Sequence, residues 1–170
     1  AMAIAHLNGV TVEELRSGIA SFKGSHRRFE KVLDTERVVL IDDYAHHPVE
    51  LDAAIRSVRE IYSGKHIMGI FQPHLYSRTA DFYQDFARSL SMLDEVVLLD
   101  IYPARELPLP GVTSRLILDL IENPNKTLVS KNDLLDYLHG NEIPDVVLIL
   151  GAGDIDRLVI PVKQYLQTLC

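Results

Sequence analysis

The clearest structural signal in the chain is the segment Val38-Val39-Leu40-Ile41-Asp42-Asp43-Tyr44-Ala45-His46-His47-Pro48. It opens with four apolar, mostly β-branched residues, a composition that is typical of a strand buried on both faces. After Pro48 the apolar side chains recur at helical spacing, at Leu51, Ile55, Val58 and Tyr62. The two carboxylates and two imidazoles therefore lie in a turn at the carboxyl end of a strand, where open α/β sheets bind ligands.

Short apolar strands alternate with helices on both sides of this segment. Two strands, 29–33 and 37–41, enclose a polar turn and predict a hairpin. Further strands are predicted at 66–71, 95–99, 127–129 and 146–150, and helices at 48–62 and 81–90, from Thr113, from Asn132 to Gly140 and from about residue 154. This order predicts an α/β fold, with a doubly wound, mostly parallel sheet, an antiparallel edge hairpin and helices on both faces.

Two short helices are predicted before the hairpin. Residues 1–7 are small and apolar, and Thr11 with Glu14 has the spacing of a capping box that starts a second helix, which Gly24 ends. Because no strand precedes these helices, we expect residues 1–24 to be the tail of a preceding domain and residues 25–170 to form the domain itself.

Composition and charge argue against several classes of protein. The 170 residues are 47% hydrophobic, which is enough for one well-buried domain. A net charge of -7 argues against non-specific nucleic-acid binding, and no apolar run reaches the length of a membrane span. The single cysteine, Cys170, cannot form a disulfide framework. We expect no nucleic-acid or membrane partner, and a cytoplasmic location fits the cysteine count.

A second polar loop, Gln72-Pro73-His74-Leu75-Tyr76-Ser77-Arg78-Thr79, also follows a predicted strand. It presents an imidazole, a phenol and a guanidinium before a helix that we expect Ser77 or Thr79 to cap. A helix N-terminus beside an arginine suits a carboxylate or a phosphate. Ordinary capping with solvated side chains would explain this loop as well, but two polar loops on one sheet edge favour a ligand site.

Two further segments carry weaker signals. Arg27 and Arg28 precede the first hairpin strand and could hold a phosphate, although such pairs are more often solvated. Gly151-Ala152-Gly153 follows the last strand and could approach an anion, but Asp156 stands where a dinucleotide fingerprint has its third glycine. Tight packing between strand and helix would explain these glycines equally well.

The adjacent histidines leave a metal-dependent alternative. Side chains that are neighbours in sequence point in different directions, so at most one of His46 and His47 is expected to face a ligand. A metal hydrolase could in principle use Asp42, Asp43, His46 and His74. The spacing of these residues matches no zinc pattern, however, and we predict no metal ligand in the chain.

Five segments together resemble the Mur ligases of bacterial cell-wall synthesis. They are GSHRRFE at 24–30, DDYAHHP at 42–48, FQPHLYSRT at 71–79, DIYPARE at 100–106 and GAG at 151–153, and they span nearly the whole chain. The second and third are specific to one branch of the family. The resemblance implies three domains, and the chain resembles the last, a Rossmann-like domain that closes over both substrates. Residues 1–24 resemble the tail of the central ATPase domain, whose G-x-x-x-x-G-K-[ST] loop does not occur here.

The resemblance also implies a reaction and its partners. ATP, with Mg2+, phosphorylates the lactyl carboxylate of UDP-N-acetylmuramate, and the amine of L-alanine attacks the acyl phosphate to form an amide. The N-terminal and central domains of the full-length enzyme would be needed for this reaction. The chain alone is therefore expected to be inactive and to bind no cofactor.

On the nucleotide side, the resemblance assigns roles to three residues by position. Arg28 would contact the ATP phosphates. Asp43 would either reach the ribose or orient that arginine, with Tyr44 beside it.

On the acceptor side, the resemblance implies a pocket for the amino acid and the acyl intermediate, lined by His46, His74, Tyr76 and Arg78. His46 would be the catalytic residue that positions or deprotonates the amine, and Arg78 could pair with the alanine carboxylate. Leu75 stands where the commoner family pattern has an arginine, so one cationic contact is lost or supplied elsewhere.

Two other functions stay open on sequence grounds. A ligase that reattaches recycled tripeptide to UDP-N-acetylmuramate shares a turn like the one at 42–48, but we would expect it to carry a different loop at 72–74 and a larger pocket. A non-catalytic nucleotide-binding module of flavodoxin-like architecture would bind a flavin or a dinucleotide.

Overall fold

A computed structural model of the chain describes residues 2–22 and 24–170; Ala1 and Lys23 lie outside the described residues. The strands are β1 (Glu30–Asp34), β2 (Val39–Asp43), β3 (Ile67–Phe71), β4 (Glu95–Leu98), β5 (Lys126–Leu128) and β6 (Val146–Leu150). The helices are α1 (Met2–Leu7), α2 (Val12–Ser21), α3 (Pro48–Ile61), α4 (Tyr76–Leu90), α5 (Arg115–Leu118), α6 (Leu134–Gly140) and α7 (Asp156–Gln167).

The strands form one sheet in the order β1-β2-β6-β3-β4-β5. β1 pairs antiparallel with β2, and the other neighbouring pairs are parallel, which confirms the predicted sheet with its edge hairpin. Asp43, Leu150 and Phe71 are aligned at the ends of β2, β6 and β3, with Leu98 of β4 beside Phe71. The loops after these four strands therefore leave one edge of the sheet, which we call the carboxyl edge.

Two apolar clusters cover the two faces of the sheet. Ile41 lies in the cluster that includes residues of α3, α4 and α5, whereas its neighbour Leu40 lies in the cluster that includes residues of α6 and α7. Successive side chains of a strand point to opposite faces, so a strand that is buried throughout needs helices on both sides. The predicted layers of helices are thus present on both faces.

Helix α4 differs from its prediction at its start. It begins at Tyr76 rather than at residue 81, and its N-cap is Leu75, with a φ of 73° and no hydrogen bond from its own side chain. The predicted caps, Ser77 and Thr79, lie inside the helix. The Ser77 N–H donates instead to Glu106 of the loop after β4, at 3.0 Å, a contact that local sequence patterns do not reveal.

The starts of two later helices also differ from their predictions. Ser114 is the N-cap of the short helix α5, but its hydroxyl donates to the Leu99 carbonyl at 2.6 Å, and it is Oγ1 of the predicted cap, Thr113, that accepts from the Arg115 N–H at 3.3 Å. Asn132 lies inside a 3-10 turn at Lys131–Asp133, and Ser130 caps that turn. The predicted cap Asn132 is therefore wrong, whereas the Thr113 hydroxyl accepts from the first turn of α5 although it lies one residue before the N-cap.

The two N-terminal helices contain the predicted capping box. The Glu14 N–H donates to Oγ1 of Thr11 at 3.2 Å, and the Thr11 N–H donates to Oε2 of Glu14 at 2.9 Å. None of the residues of α1 or α2 that the structure describes is buried. The domain boundary near residue 24 stays a prediction.

Among residues 2–22 and 24–170, no helix combines the length and the apolar character that crossing a membrane requires.

Candidate active site

Asp43 ends β2 and fastens two segments of chain to the carboxyl edge. Its Oδ2 accepts from the Phe29 N–H at 2.7 Å, and its Oδ1 accepts from the Ala45 N–H at 2.8 Å. The Tyr44 N–H donates to the carbonyl of Arg27 at 2.8 Å. The segment that precedes β1 is thereby held against the turn that follows β2.

Arg27 is the buried member of the arginine pair, a role that the sequence analysis did not assign. Its Nε donates to Oδ2 of Asp42 at 3.2 Å, and its Nη2 donates to the carbonyl of Gly151 at 2.5 Å. Burial raises the pKa of Asp42, and the Arg27 guanidinium opposes that shift. The second oxygen of Asp42 has no hydrogen-bond partner within the part of the chain that the structure describes. Asp42 and Arg27 therefore join the hairpin to the turn after β6.

Arg28 and Tyr44 meet at the surface of the same edge. The Arg28 guanidinium lies 5.2 Å from the centroid of the Tyr44 ring, and Arg27 lies 5.1 Å from it. The Arg28 side chain is 55% exposed, and Nη1 is 3.9 Å from Oε1 of Glu50. Such a long contact to a surface carboxylate is weak, so the Arg28 guanidinium remains available for an anion.

The two adjacent histidines contact different parts of the molecule. His47 is the N-cap of α3, and its ring packs edge-on against Phe82 at a centroid distance of 4.9 Å. The His46 ring packs instead against Tyr44 at 5.2 Å and against His74 at 5.9 Å. Of the two rings, His46 is the one beside the second polar loop.

The hydrogen bonds of His46 leave one ring nitrogen as a proton acceptor. Its Nδ1 lies 2.9 Å from the Tyr44 carbonyl oxygen and 3.2 Å from Oε2 of Glu50, and both of these oxygens accept. A neutral His46 therefore carries its proton on Nδ1 and has a lone pair on Nε2. Burial alone would raise the pKa of Glu50, but the N–H groups of His46 and His47 and nearby positive charge outweigh it and hold that pKa below its usual range.

His74 is held in the opposite tautomer. Nη1 of Arg78 lies 3.2 Å from Nδ1 of His74. Because a guanidinium can only donate, Nδ1 accepts, and a neutral His74 carries its proton on Nε2. Burial lowers the pKa of His74, Arg78 and His46 lower it further, and Glu106 opposes them. The His74 ring is therefore neutral near pH 7 and offers a donor where His46 offers an acceptor.

Tyr102 lies in the DIYPARE segment after β4, where the sequence analysis assigned it no role of its own, and it stacks on His74. The two ring centroids are 5.6 Å apart, and the Tyr102 carbonyl accepts from the Leu75 N–H at 2.9 Å. A Cβ atom at Gly153 would lie 2.7 Å from Cβ of Tyr102, closer than such contacts come. Gly153 is therefore required by packing against this ring.

Gln72 makes the other close contacts with the glycine turn that follows β6. Its Oε1 accepts from the Ile155 N–H at 2.9 Å, and its Nε2 donates to Asp154 at 3.0 Å. Gly151 has a φ of 144°, and a Cβ atom there would lie 3.0 Å from the Gln72 carbonyl oxygen. Close packing thus accounts for both glycines, which is the alternative that the sequence left open.

The structure brings most of the predicted site residues into one continuous row of contacts. The row runs from Arg28 to Tyr44, His46, His74 and Arg78. Asp43 fastens the backbone beside its first members. Tyr76, the first residue of α4, is half-buried and lies between His74 and Arg78 in the chain.

The residues of the predicted metal-hydrolase alternative do not form a ligand set. Within the described ranges, no group of three or more His, Cys, Asp or Glu side chains could hold a metal ion. Asp42 is paired with Arg27, and both oxygens of Asp43 accept backbone N–H groups.

Comparison with known proteins places the chain in a family. A family model described as the glutamate ligase domain of Mur ligases matches residues 27–153. The chain is 99% identical over 170 residues to a UDP-N-acetylmuramate–L-alanine ligase of Porphyromonas gingivalis, and 60% identical over 166 residues to that of Parabacteroides distasonis. It spans 37% and 36% of the length of these two relatives, and 100% and 98% of the chain is covered.

Solved structures agree with this placement. The UDP-N-acetylmuramate–alanine ligase of Thermotoga maritima superposes with a TM-score of 0.78 at 27% identity, over 98% of this chain and 36% of that one. A murein peptide ligase from Psychrobacter arcticus shares the fold, with a TM-score of 0.60 at 21% identity, over 98% of this chain and 34% of that one. Since the family model covers well over half of the residues, the chain belongs to the Mur ligase family.

Proposed function

We propose that the chain is the C-terminal domain of an ATP-dependent ligase that joins L-alanine to UDP-N-acetylmuramate. The relatives that carry this name are longer than the chain, which spans 37% of the Porphyromonas protein, so the activity belongs to the whole enzyme. The observation that carries the proposal is the row of contacts from Arg28 to Arg78. It joins two cations, a proton acceptor and a proton donor along the carboxyl edge.

The nucleotide side of the proposed site is formed by Arg28, Tyr44 and Asp43. The exposed guanidinium of Arg28 suits a phosphate, and the Tyr44 ring makes a cation–π contact with this guanidinium. Both oxygens of Asp43 are committed to backbone N–H groups, one of them that of Phe29. Of the two roles expected for Asp43, orienting Arg28 therefore fits better than binding the ribose.

The acceptor side of the proposed site is formed by His46, His74, Tyr76 and Arg78. Arg78 would pair with the carboxylate of L-alanine. As the alanine nitrogen bonds to the acyl carbon, the bond to the phosphate oxygen breaks, phosphate leaves with the electron pair, and Nε2 of His46 takes the proton from nitrogen. The Nε2–H of His74 would donate to the oxygen on which negative charge develops.

The phosphorylation step requires the rest of the ligase. ATP and UDP-N-acetylmuramate are its substrates, and Mg2+ neutralises phosphate charge when bound. We expect the ligands of Mg2+ and the phosphate loop in the central domain outside this chain, with residues 1–24 as the tail of that domain. The ATP requirement and the nucleotide-sugar substrate favour the bacterial cytoplasm as the place of reaction.

The proposal is tested by comparing two acceptors with the full-length enzyme. Free L-alanine should release ADP and phosphate in the presence of UDP-N-acetylmuramate and ATP, and the tripeptide of cell-wall recycling should not. The 170-residue chain alone should release neither product. Preference for the tripeptide would identify a recycling ligase, and turnover by the chain alone would contradict the need for further domains.

A flavodoxin-like binding module is tested separately. Calorimetry of the chain with a flavin or a dinucleotide should detect no binding at micromolar concentration. Tight binding of either ligand would favour the module over the ligase.

A further inference from the structure

The loop after β4 is tied to the loop after β3 by backbone hydrogen bonds. The Tyr102 N–H donates to the Pro73 carbonyl at 2.8 Å, and the Leu75 N–H donates back to the Tyr102 carbonyl at 2.9 Å. These bonds set Tyr102 beside His74, on which it stacks. The position of the His74 ring therefore depends on where the loop after β4 lies.

Glu106 makes a second attachment between the same loops. Its Oε2 accepts from the Ser77 N–H at 3.0 Å, and its Oε1 accepts from the Ser77 hydroxyl at 2.5 Å. These contacts hold the pKa of Glu106 below its usual range, so it is a carboxylate at neutral pH. A carboxylate is favoured at this place because the first N–H groups of a helix carry partial positive charge.

Helix α4 depends on this external carboxylate. Its N-cap, Leu75, lacks a side chain that could accept a hydrogen bond, and its φ of 73° is unusual for a residue with a Cβ atom. His74 precedes this N-cap and Arg78 lies in the first turn of the helix. The start of α4 thus fixes the spacing of the two side chains that meet at 3.2 Å.

We propose that Glu106 is a positioning residue for the acceptor site, which sets the His74–Arg78 pair through Ser77 and Tyr102. This inference rests on the proposed function, since it assigns the pair to the amino-acid substrate. Glu106 itself touches neither His74 nor Arg78 by hydrogen bond within the described residues. Its effect on the geometry of the pair passes through the start of α4 and through the loop that carries Tyr102, while its negative charge also raises the pKa of His74.

Tyr102 has little room to move away from His74 when the loop is attached. Gly153 lies against the ring so closely that an added Cβ atom would be 2.8 Å from Cγ of Tyr102. The ring is therefore held between the glycine turn and His74. If the contacts between Glu106 and Ser77 were lost, the loop after β4 would no longer be attached on its solvent-facing side, where Leu107 is 84% exposed.

The test uses the full-length ligase with Glu106→Gln, Ser77→Ala and the double variant. Glutamine keeps the size of the side chain but removes its charge and one acceptor. We expect Glu106→Gln to raise KM for L-alanine about tenfold with kcat changed less than about twofold, because a misplaced pair weakens substrate binding first. KM for ATP should stay at the wild-type value. Glu36→Gln, an exposed glutamate in the β1–β2 turn, is the matched control and should change none of these constants.

The double variant separates positioning from simple stabilisation. If Glu106 acts through Ser77, the two substitutions together should raise KM for L-alanine little more than Glu106→Gln alone. Should Glu106→Gln fold poorly, Ser77→Ala removes the hydroxyl from the other side of the same contact and should raise KM in the same direction.

Three results would overturn the inference. If a folded Glu106→Gln enzyme had an unchanged KM for L-alanine and a lowered Tm, Glu106 would stabilise the fold without positioning the acceptor site. Fully additive effects of the two substitutions would exclude action through Ser77. If the wild-type enzyme failed to couple L-alanine at all, the proposed function and this inference would fall together, whereas the first two results leave the proposed function intact.

Discussion

The charged groups at the two edges of the parallel sheet differ in how completely they are paired. At the amino edge, Asp94 pairs with Arg59 at 2.9 Å and accepts from the Ile67 N–H at 2.8 Å. Asp145 there pairs with Lys65 at 3.0 Å and accepts from the His66 N–H, also at 3.0 Å. Each carboxylate thus has one cation and one backbone N–H as partners.

At the carboxyl edge, by contrast, two cations have no close anionic partner among residues 2–22 and 24–170. Arg28 lies 3.9 Å from Glu50, and Arg78 donates to the neutral ring of His74. A cavity of about 680 Å3 lies at the amino edge, but the charged groups Asp94 and Asp145 there are paired with cations of the same edge. The carboxyl edge instead leaves positive charge available for an anionic ligand. Substitutions of these charged groups should accordingly reduce stability at the amino edge and activity at the carboxyl edge.

The largest effect is expected at Arg28. Replacing it with alanine should lower kcat/KM for ATP of the full-length enzyme by about 10²–10³-fold, because a cation aimed at the transferred phosphate is lost. Unfolding of the variant should be unchanged. Arg56→Ala removes another exposed arginine, which pairs with Asp52 on α3, and steady-state kinetics should show no comparable loss for it.

A smaller effect on binding is expected at Arg78. Arg78→Ala should raise KM for L-alanine by roughly 10²-fold, since the carboxylate would lose a charged partner. Because Arg78 lowers the pKa of His74, its removal should let that pKa rise, and the acid limb of the pH–rate profile should move to higher pH. Arg88→Ala, on the exposed face of the same helix, is the control. Equal KM values for both variants would contradict the assignment.

Gly153 tests whether the carboxyl edge is also tightly packed. Gly153→Ala should destabilise the chain by about 1–3 kcal/mol, because the new methyl group overlaps Gln72 and Tyr102. Urea unfolding of the chain measures this change. Gly140→Ala is the matched control, since a Cβ atom there meets nothing within 4 Å, and it should be neutral or slightly stabilising. Similar losses for both substitutions would argue against the close contact.

The smallest effect is expected at the amino edge. Asp94→Asn should cost about 1 kcal/mol of stability without changing kcat or KM, since it weakens a partly exposed ion pair. Burial alone would raise the pKa of Asp94, but Arg59 and the Ile67 N–H outweigh it and hold the pKa below its ordinary value of 3.8. The stabilisation should thus be complete above pH 3.8 and disappear as the pH falls through the lower, folded-state value.

A control substitution and an acid titration check this prediction. Asp119→Asn removes an exposed carboxylate at the C-cap of α5 and should leave unfolding unchanged at every pH. A difference between wild type and Asp94→Asn that persisted at the acid end of the titration would show that Asp94 stabilises the fold by some means other than its charge.

Features that depend on residues close together in the sequence could be predicted, and features that depend on residues far apart in the sequence could not. The strand, turn and helix around Asp43 follow from local apolar spacing, and the sheet type follows from their alternation. The start of α4 could not be predicted, because the carboxylate that favours it comes from Glu106, 29 residues after Ser77. The different roles of Arg27 and Arg28 could not be predicted either, since they depend on Asp42 and on the Gly151 carbonyl, 124 residues away from Arg27.

Position in the sheet has a consequence for the order of folding. β6 is the last strand of the chain, but it lies between β2 and β3 and pairs with both. Until residues 146–150 leave the ribosome, the hairpin of β1 and β2 is not joined to the three strands β3, β4 and β5. The edges of β2 and β3 that β6 will join have no partner strand during this time. His46 and His74, which follow these two strands, can meet only when synthesis of the domain is nearly complete.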